Sequence, residues 1–134
     1  MDDFRRELIE YRIERAREEC LQSEIMLING FFRKSVNCSY YAVFHAIRAL
    51  AARDGFEAKK HSSVLAFFNK EYVLKGYAER VFGRLAQKAF VYRNESDYKD
   101  FVVIDRGEAE ELLSSTKVFV AKITGLLKDA VDAV

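Results

Sequence analysis

Proline is absent from this chain and glycine is scarce, with six residues in 134. Without proline nothing forces a helix to kink from within, and the glycines fall mostly at breaks between periodic stretches, which points to an all-helical fold. The sequence also lacks any run of about 18 apolar residues, which excludes a helical membrane span. Charge of one sign is missing: 22 Lys and Arg against 21 Asp and Glu leave a formal net charge of +1. Holding long duplex nucleic acid by overall charge is therefore excluded, while a local basic patch is compatible with the balance. Two cysteines and two histidines are all that the chain has. Cys20 and Cys38 lie on helical faces with apolar neighbours and read as core thiols in a reducing cytoplasm. Together with His45 and His61, on distant and differently facing segments, they make no tetrahedral metal site. The glycines never reach the spacing of a phosphate-binding loop, and no Ser–His–acid triad is supported, so no cofactor is implied. The opening Met1-Asp2-Asp3-Phe4-Arg5-Arg6 is charged and unlike a secretory leader, so a cytoplasmic location is expected.

What is present is an apolar half. Hydrophobic residues make up 50% of the chain, with eleven Phe and seven Tyr, enough for a true core rather than disorder. The length suits a single helical domain over residues 1–134 that buries roughly two thirds of its unfolded surface. The stretch Val36 to Leu50 organises it. Between Ser35 and Ala52 the one formal charge is Arg48, in a chain that is 32% charged. At 3.6 residues per turn this stretch resolves into three faces. Val36, Tyr40, Val43, Ile47 and Leu50 form a bulky apolar stripe. Cys38, Ala42, Ala46 and Ala49 form a small-residue flank for close approach of another backbone. Asn37, Tyr41, His45 and Arg48, with Phe44 on the edge, form a third face. A helix with no charged outer side is normally the buried centre of a bundle. The third face is too polar for a core and too uncharged for open solvent, so it is expected to line or border a homodimer cleft.

Around this centre the periodicity predicts an antiparallel bundle of four or five helices. The first helix runs from Asp3 to about Asn29, with Ile9, Ile13, Ala16, Cys20 and Leu27 inward and Leu21, Ile25 and Ile28 widening the stripe. A short helix from Val64 to about Asn69 is capped by a serine of His61-Ser62-Ser63. A fourth runs from Tyr77 to about Asn94, with Ala78, Val81, Phe82, Leu85, Ala89 and Tyr92 inward. Phe101 to Ile104 is an extended connector without a partner strand. The last helix begins at a capping box of Asp105 and Glu108 and turns Ala109, Leu112, Leu113, Thr116, Val120, Ile123, Leu127 and Val131 inward.

One residue breaks its pattern. Arg93 continues the inward row of Phe82, Ala86 and Ala89, where a permanent cation wants an acid, a phosphate or a carbonyl. Asp97 reaches it if the helix continues, and an exposed pair of that kind contributes well under about 1 kcal/mol. His45 reads as a satisfied core or interface histidine, and His61 as a residue leading the short helix.

The motifs Tyr11-Arg12-Ile13-Glu14-Arg15-Ala16-Arg17-Glu18, Ser39-Tyr40-Tyr41-Ala42-Val43-Phe44-His45 within Val36 to Leu50, Lys60-His61, Phe67, Val73, and Arg93-Asn94-Glu95-Ser96-Asp97-Tyr98 resemble the HEPN domain family, in its small stand-alone prokaryotic branch. The resemblance runs from about Phe4 to Tyr98. It implies an up-and-down helical bundle that dimerises, with the arginine-bearing segments of two protomers facing a shared cleft. It also implies a minimal nucleotidyltransferase as genetic companion in a toxin–antitoxin arrangement. In many members an Arg, a polar follower and a His several residues on form a metal-independent endoribonuclease site. Arg93 matches the motif Arg and Asn94 its follower, whereas Asp97 and Tyr98 stand where the His would fall. RNA cleavage needs a base for the 2′-hydroxyl, a proton donor for the leaving oxygen and a cation for the phosphorane. Aspartate, with an ordinary pKa of about 4, is a poor acid and a weak base at neutral pH, and it repels phosphate.

Three functions follow. The first is a protein acting with a nucleotidyltransferase partner that binds a nucleotide or RNA phosphate near Arg93. The second is a ribonuclease toxin using Arg93, Asn94 and Tyr98, with His45 or His61 supplying proton transfer. The third is a non-catalytic helical interaction module. Whether the chain is an enzyme stays open at this point.

Overall fold

The computed structural model describes residues 2–128 and places five helices in them, with no strand among the described residues. Helix α1 (Asp3–Ile28) starts at Asp2, whose carboxylate accepts the Arg5 backbone N–H at 2.7 Å. A tight turn at Asn29 and Gly30, where Gly30 takes φ 82°, reverses the chain into α2 (Phe32–Asp54). This helix is the centre of the bundle and packs against all four others. Val36, Tyr40, Val43, Ile47 and Leu50 are fully buried, as are Ala42, Ala46 and Ala49. The antiparallel all-α bundle expected from the pattern is the fold observed.

Several local expectations need correction. Leu21, Ile25 and Ile28 do not widen the inner stripe of α1 and stand 59%, 46% and 70% exposed. Ser23 is turned inward instead, because α2 offers it partners. Its hydroxyl reaches the Ser35 carbonyl at 2.8 Å and the hydroxyls of Ser35 and Ser39 at 2.9 and 2.8 Å, and Ser35 donates to the Ser23 carbonyl at 3.0 Å. Small, hydrogen-bonded residues let the two helices approach closely there. Cys20 and Cys38 are half-buried rather than in the core.

Helix α3 (His61–Phe68) begins at His61 itself, with Lys60 at the N-cap and no side-chain cap bond, so the serines lie inside its first turn. It continues into a π-helical turn, Asn69–Val73, before Gly76 breaks the chain at φ 84°. Helix α4 (Arg80–Tyr98) starts later and runs further than the sequence pattern suggested, and Val81 is exposed rather than inward. The extension carries Asp97 and Tyr98 on the helix itself. Residues 99–105 form a connector held by Arg33, which donates to the carbonyls of Ser96 at 3.1 Å and Val102 at 2.5 Å. Helix α5 (Arg106–Leu126) opens on the predicted Asp105–Glu108 capping box and buries Phe119 besides the expected stripe. Val131 of that expected stripe lies outside the described residues. Among the described residues no helix is long and apolar enough to cross a membrane.

Candidate functional site

The third face of α2 comes out half-buried at each of its four positions, Asn37, Tyr41, His45 and Arg48. Its N-terminal half meets the last turns of α4. There the Arg93 side chain is 15% exposed and that of Asp97 32%, so their ion pair is partly screened. Arg93 Nη2 donates to the Tyr41 hydroxyl at 3.1 Å, and Nη1 donates to Asn94 Oδ1 at 3.3 Å. Arg93 Nε lies 3.1 Å from Asp97 Oδ2, close enough for charge attraction. The angle is wrong for a hydrogen bond, so this buried N–H has no acceptor. Three rings surround the guanidinium, with Tyr98, Tyr41 and Tyr40 centroids 5.4, 5.7 and 6.0 Å from Cζ. Asp97 is shared, because Asn37 Nδ2 donates to both of its oxygens at 3.0 Å. Burial opposes the charge on Arg93, and Tyr41, Tyr98 and Asp97 outweigh it, so its pKa is raised.

The helix start at His61 sets the second half of the site. Its ring stacks on Phe44 at 4.3 Å and lies 5.9 Å from the Tyr41 ring. His61 Nδ1 is 2.5 Å from the hydroxyl of Tyr40. Burial raises the pKa of that phenol, so it keeps its proton. When the hydroxyl donates to Nδ1 the imidazole proton sits on Nε2, and when Nδ1–H donates to the hydroxyl Nε2 is left as an acceptor. Burial first, then the charges of Arg93 and Arg48, hold His61 below the ordinary histidine pKa.

The sequence-predicted residues therefore do not all converge. Arg93, Asn94, Asp97, Tyr98, Asn37 and Tyr41 form one contact cluster, and His61 joins it through Tyr40 and Tyr41. His45 touches the Tyr41 ring at 6.2 Å, with no hydrogen bond to the cluster, and Arg48 stands beyond it over Phe44 at 5.7 Å. Burial, then Arg15, Arg48, Arg12 and His61, press the His45 pKa down to about 4. Tyr40 was missed as a site residue because it sits in an aliphatic stripe. Its hydroxyl, which needs a partner when buried, was the available signal. The two free thiols are pushed up to about 11 by burial, so neither is a thiolate nucleophile at neutral pH. Among the described residues no group of three or more His, Cys, Asp or Glu is arranged to hold a metal ion.

A family model of the HEPN domain matches residues 9–126. The chain belongs to the HEPN domain family. It is similar to the "Putative toxin MJ0605" of Methanocaldococcus jannaschii, 33% identical over 124 residues that cover 92% of each chain. A UPF0332 protein of Thermotoga maritima is 32% identical over 122 residues, covering 91% of this chain and 92% of that one. The "Putative toxin MJ0142" of Methanocaldococcus jannaschii is 32% identical over 119 residues, 89% of this chain and 80% of its own. In this HEPN chain the Arg93 segment lies at the end of α4, against the polar face of α2.

Proposed function

We propose that this HEPN protein is a cytoplasmic, toxin-like homodimer that acts with a minimal nucleotidyltransferase partner and holds an RNA or nucleotide phosphate at Arg93. One observation carries the reading: a guanidinium buried among three tyrosines has a donor, Nε, that nothing satisfies. Its nearest acid, Asp97, is tethered by Asn37 and not by Arg93 in proper geometry. A phosphate oxygen entering there completes the arginine's bonding and meets the Asn37 amide as well. The names of two relatives as toxins support the toxin-like part. The dimer is supported by the surface beside the site, where Tyr98, Phe101 and Val103 are 72%, 100% and 84% exposed. Phe101 does this at φ 63°, a conformation that disfavours bulky side chains, so the backbone is strained to present an apolar ring outward. A second copy covering it brings two Arg93 clusters towards one cleft.

A second reading, a metal-independent endoribonuclease, is favoured by the His61–Tyr40 pair. His61 supplies the imidazole that the motif lacks at Asp97 and Tyr98. In the tautomer with Nδ1–H on the Tyr40 hydroxyl, neutral Nε2 takes the 2′-hydroxyl proton as that oxygen attacks phosphorus, the leaving 5′-oxygen takes a proton from water as its bond breaks, and Arg93 stabilises the phosphorane charge.

The test is a binding titration with a labelled oligoribonucleotide on the wild type and Arg93→Ala. Affinity is expected to fall by roughly 1–3 kcal/mol, the scale of a charge-assisted contact. Stability falls by about 1 kcal/mol, more than for an exposed helix-end arginine, because the side chain fills a tyrosine cage. Unchanged affinity with a large stability loss overturns the phosphate role and leaves the interaction module. RNA degradation by the wild type that survives in His61→Gln removes the ribonuclease reading through His61.

A further inference from the structure

Two arginines outside the Arg93 cluster line one recess with no carboxylate in ion-pair contact among the described residues. Arg12 on α1 donates from Nη1 to the Arg48 backbone carbonyl at 2.9 Å, and the Arg48 guanidinium lies 5.7 Å over the Phe44 ring. Among the described residues neither has a carboxylate oxygen within 4.0 Å of its nitrogens. Other half-buried arginines differ. Arg53 has Asp54, Tyr72 and the Leu126 carbonyl, and Arg15 has Glu18 and Glu19. Arg12 and Arg48 line a recess of about 100 Å³ whose rim carries Lys59 and whose one acid is Glu57. At about 30 Å³ per water it holds roughly three waters or one phosphate-sized anion. Burial and then the charge of Arg48 lower the Arg12 pKa, and Glu57 offsets them in part. Two cations held side by side repel each other, and an anion placed between them reverses that balance.

The recess is joined to the Arg93 cluster by continuous contacts. Arg48 lies over Phe44, Phe44 stacks on His61 at 4.3 Å, His61 meets Tyr41 at 5.9 Å, and Tyr41 accepts from Arg93 at 3.1 Å. Tyr41 and Arg48 are separated along α2 by about 10 Å at 1.5 Å per residue. Cations at both ends of a strip, with the half-buried rings of Tyr41 and His61 between them over the buried Phe44, suit a single strand whose phosphates take the ends and whose bases meet those two rings. We propose that Arg12 and Arg48 form a second phosphate subsite, so that the site takes single-stranded RNA across at least two phosphates rather than a mononucleotide. The inference rests on the Arg93 reading and extends it to the substrate class.

The test is fluorescence anisotropy with labelled uridine monophosphate and a labelled oligouridylate, each titrated at several salt concentrations. The wild type is expected to bind the oligomer far more tightly than the mononucleotide. Arg48→Gln is expected to weaken the oligomer about tenfold, with the salt slope shallower by about 0.7. It leaves the mononucleotide unchanged. Arg48→Lys retains most of the affinity, Arg17→Gln serves as an exposed control, and Arg93→Gln weakens both ligands. Oligomer affinity and salt slope unchanged in Arg48→Gln overturn the second subsite and leave the Arg93 reading standing. Loss of dimer by light scattering in Arg48→Gln, with RNA affinity unchanged, places a partner carboxylate in the recess and also overturns it. Affinity for both ligands unchanged in Arg93→Gln overturns the Arg93 reading and with it the two-phosphate span. A wild type that binds neither ligand overturns both.

Discussion

Helix α2 carries two polar clusters, one towards α1 and one towards α4, and they obey opposite rules. The serine cluster of Ser23, Ser35 and Ser39 is fully buried and closed, each hydroxyl bonded within the group. The arginine cluster of Arg93, Tyr41, Asp97 and Asn37 is half-buried and open, with a donor left over at Arg93 Nε. Satisfied polar groups at a helix crossing fix how two helices meet. A buried cationic donor without a well-directed acceptor is a polar group that packing alone does not explain. The difference separates a clasp from a site.

The comparison breaks most visibly under Ser23→Ala. That change strips a donor from the Ser35 carbonyl and a partner from two buried hydroxyls. We expect a stability loss of about 2 kcal/mol, the scale of leaving buried polar groups unsatisfied, with no change in RNA affinity. Urea melts together with the binding titration check it. A loss of affinity at unchanged stability would erase the distinction between the two clusters.

Acid sharpens it, because both histidines meet the Tyr41 ring of the open cluster. His45 is held at a pKa of about 4 by burial and by Arg15, Arg48, Arg12 and His61, against 6.5 ordinarily. Between those values the unfolded chain binds more protons than the folded one, so stability is fully present above about pH 6.5 and is lost as pH falls towards 4. From pH 7.5 to 5 the loss is about 2 kcal/mol at full strength, and roughly 1 kcal/mol after allowing for a ring only half out of water. His61, also depressed, acts in the same direction. Urea melts of His45→Gln at the two pH values are expected to show a weaker pH dependence than the wild type. An identical dependence would remove His45 as its source.

Much of this was legible in the sequence for a physical reason. Helix formation and burial follow from periodicity, so the apolar stripe of α2 and the capping box of α5 could be read directly. The half-buried third face was legible too, because its four positions were polar without being charged. What periodicity cannot show is pairing between helices. Ser23 carries no periodic signal, and only the fold sets Ser35 and Ser39 opposite it. Arg12 stands in the charged motif Tyr11 to Glu18, and only the fold sets it against Arg48. The end of α4 was placed too early because Asn94 to Tyr98 is polar, and the helix runs on, so that Asp97 and Arg93 share one helical turn as their four-residue spacing allowed.

The smallest effect tests the open cluster most directly. Asp97 lies 3.1 Å from Arg93 Nε without bonding it well, and it accepts both contacts from the Asn37 amide. Asp97→Asn removes the negative charge that a phosphate would have to approach, and it keeps the size of the side chain. Stability should fall by a few tenths of a kcal/mol, since a poorly directed ion pair contributes little and Asn37 has an amide oxygen in place of a carboxylate. RNA affinity should rise, by about 1 kcal/mol or less, because the guanidinium loses its competitor and the phosphate a repelling neighbour. If Arg93 served only as the ion-pair partner of Asp97, the same substitution would lower stability and leave affinity where it was. Pairing it with Asp97→Ala separates charge from packing. Both variants gain affinity if charge repulsion was the barrier, and only the alanine loses further stability if the side chain also fills space.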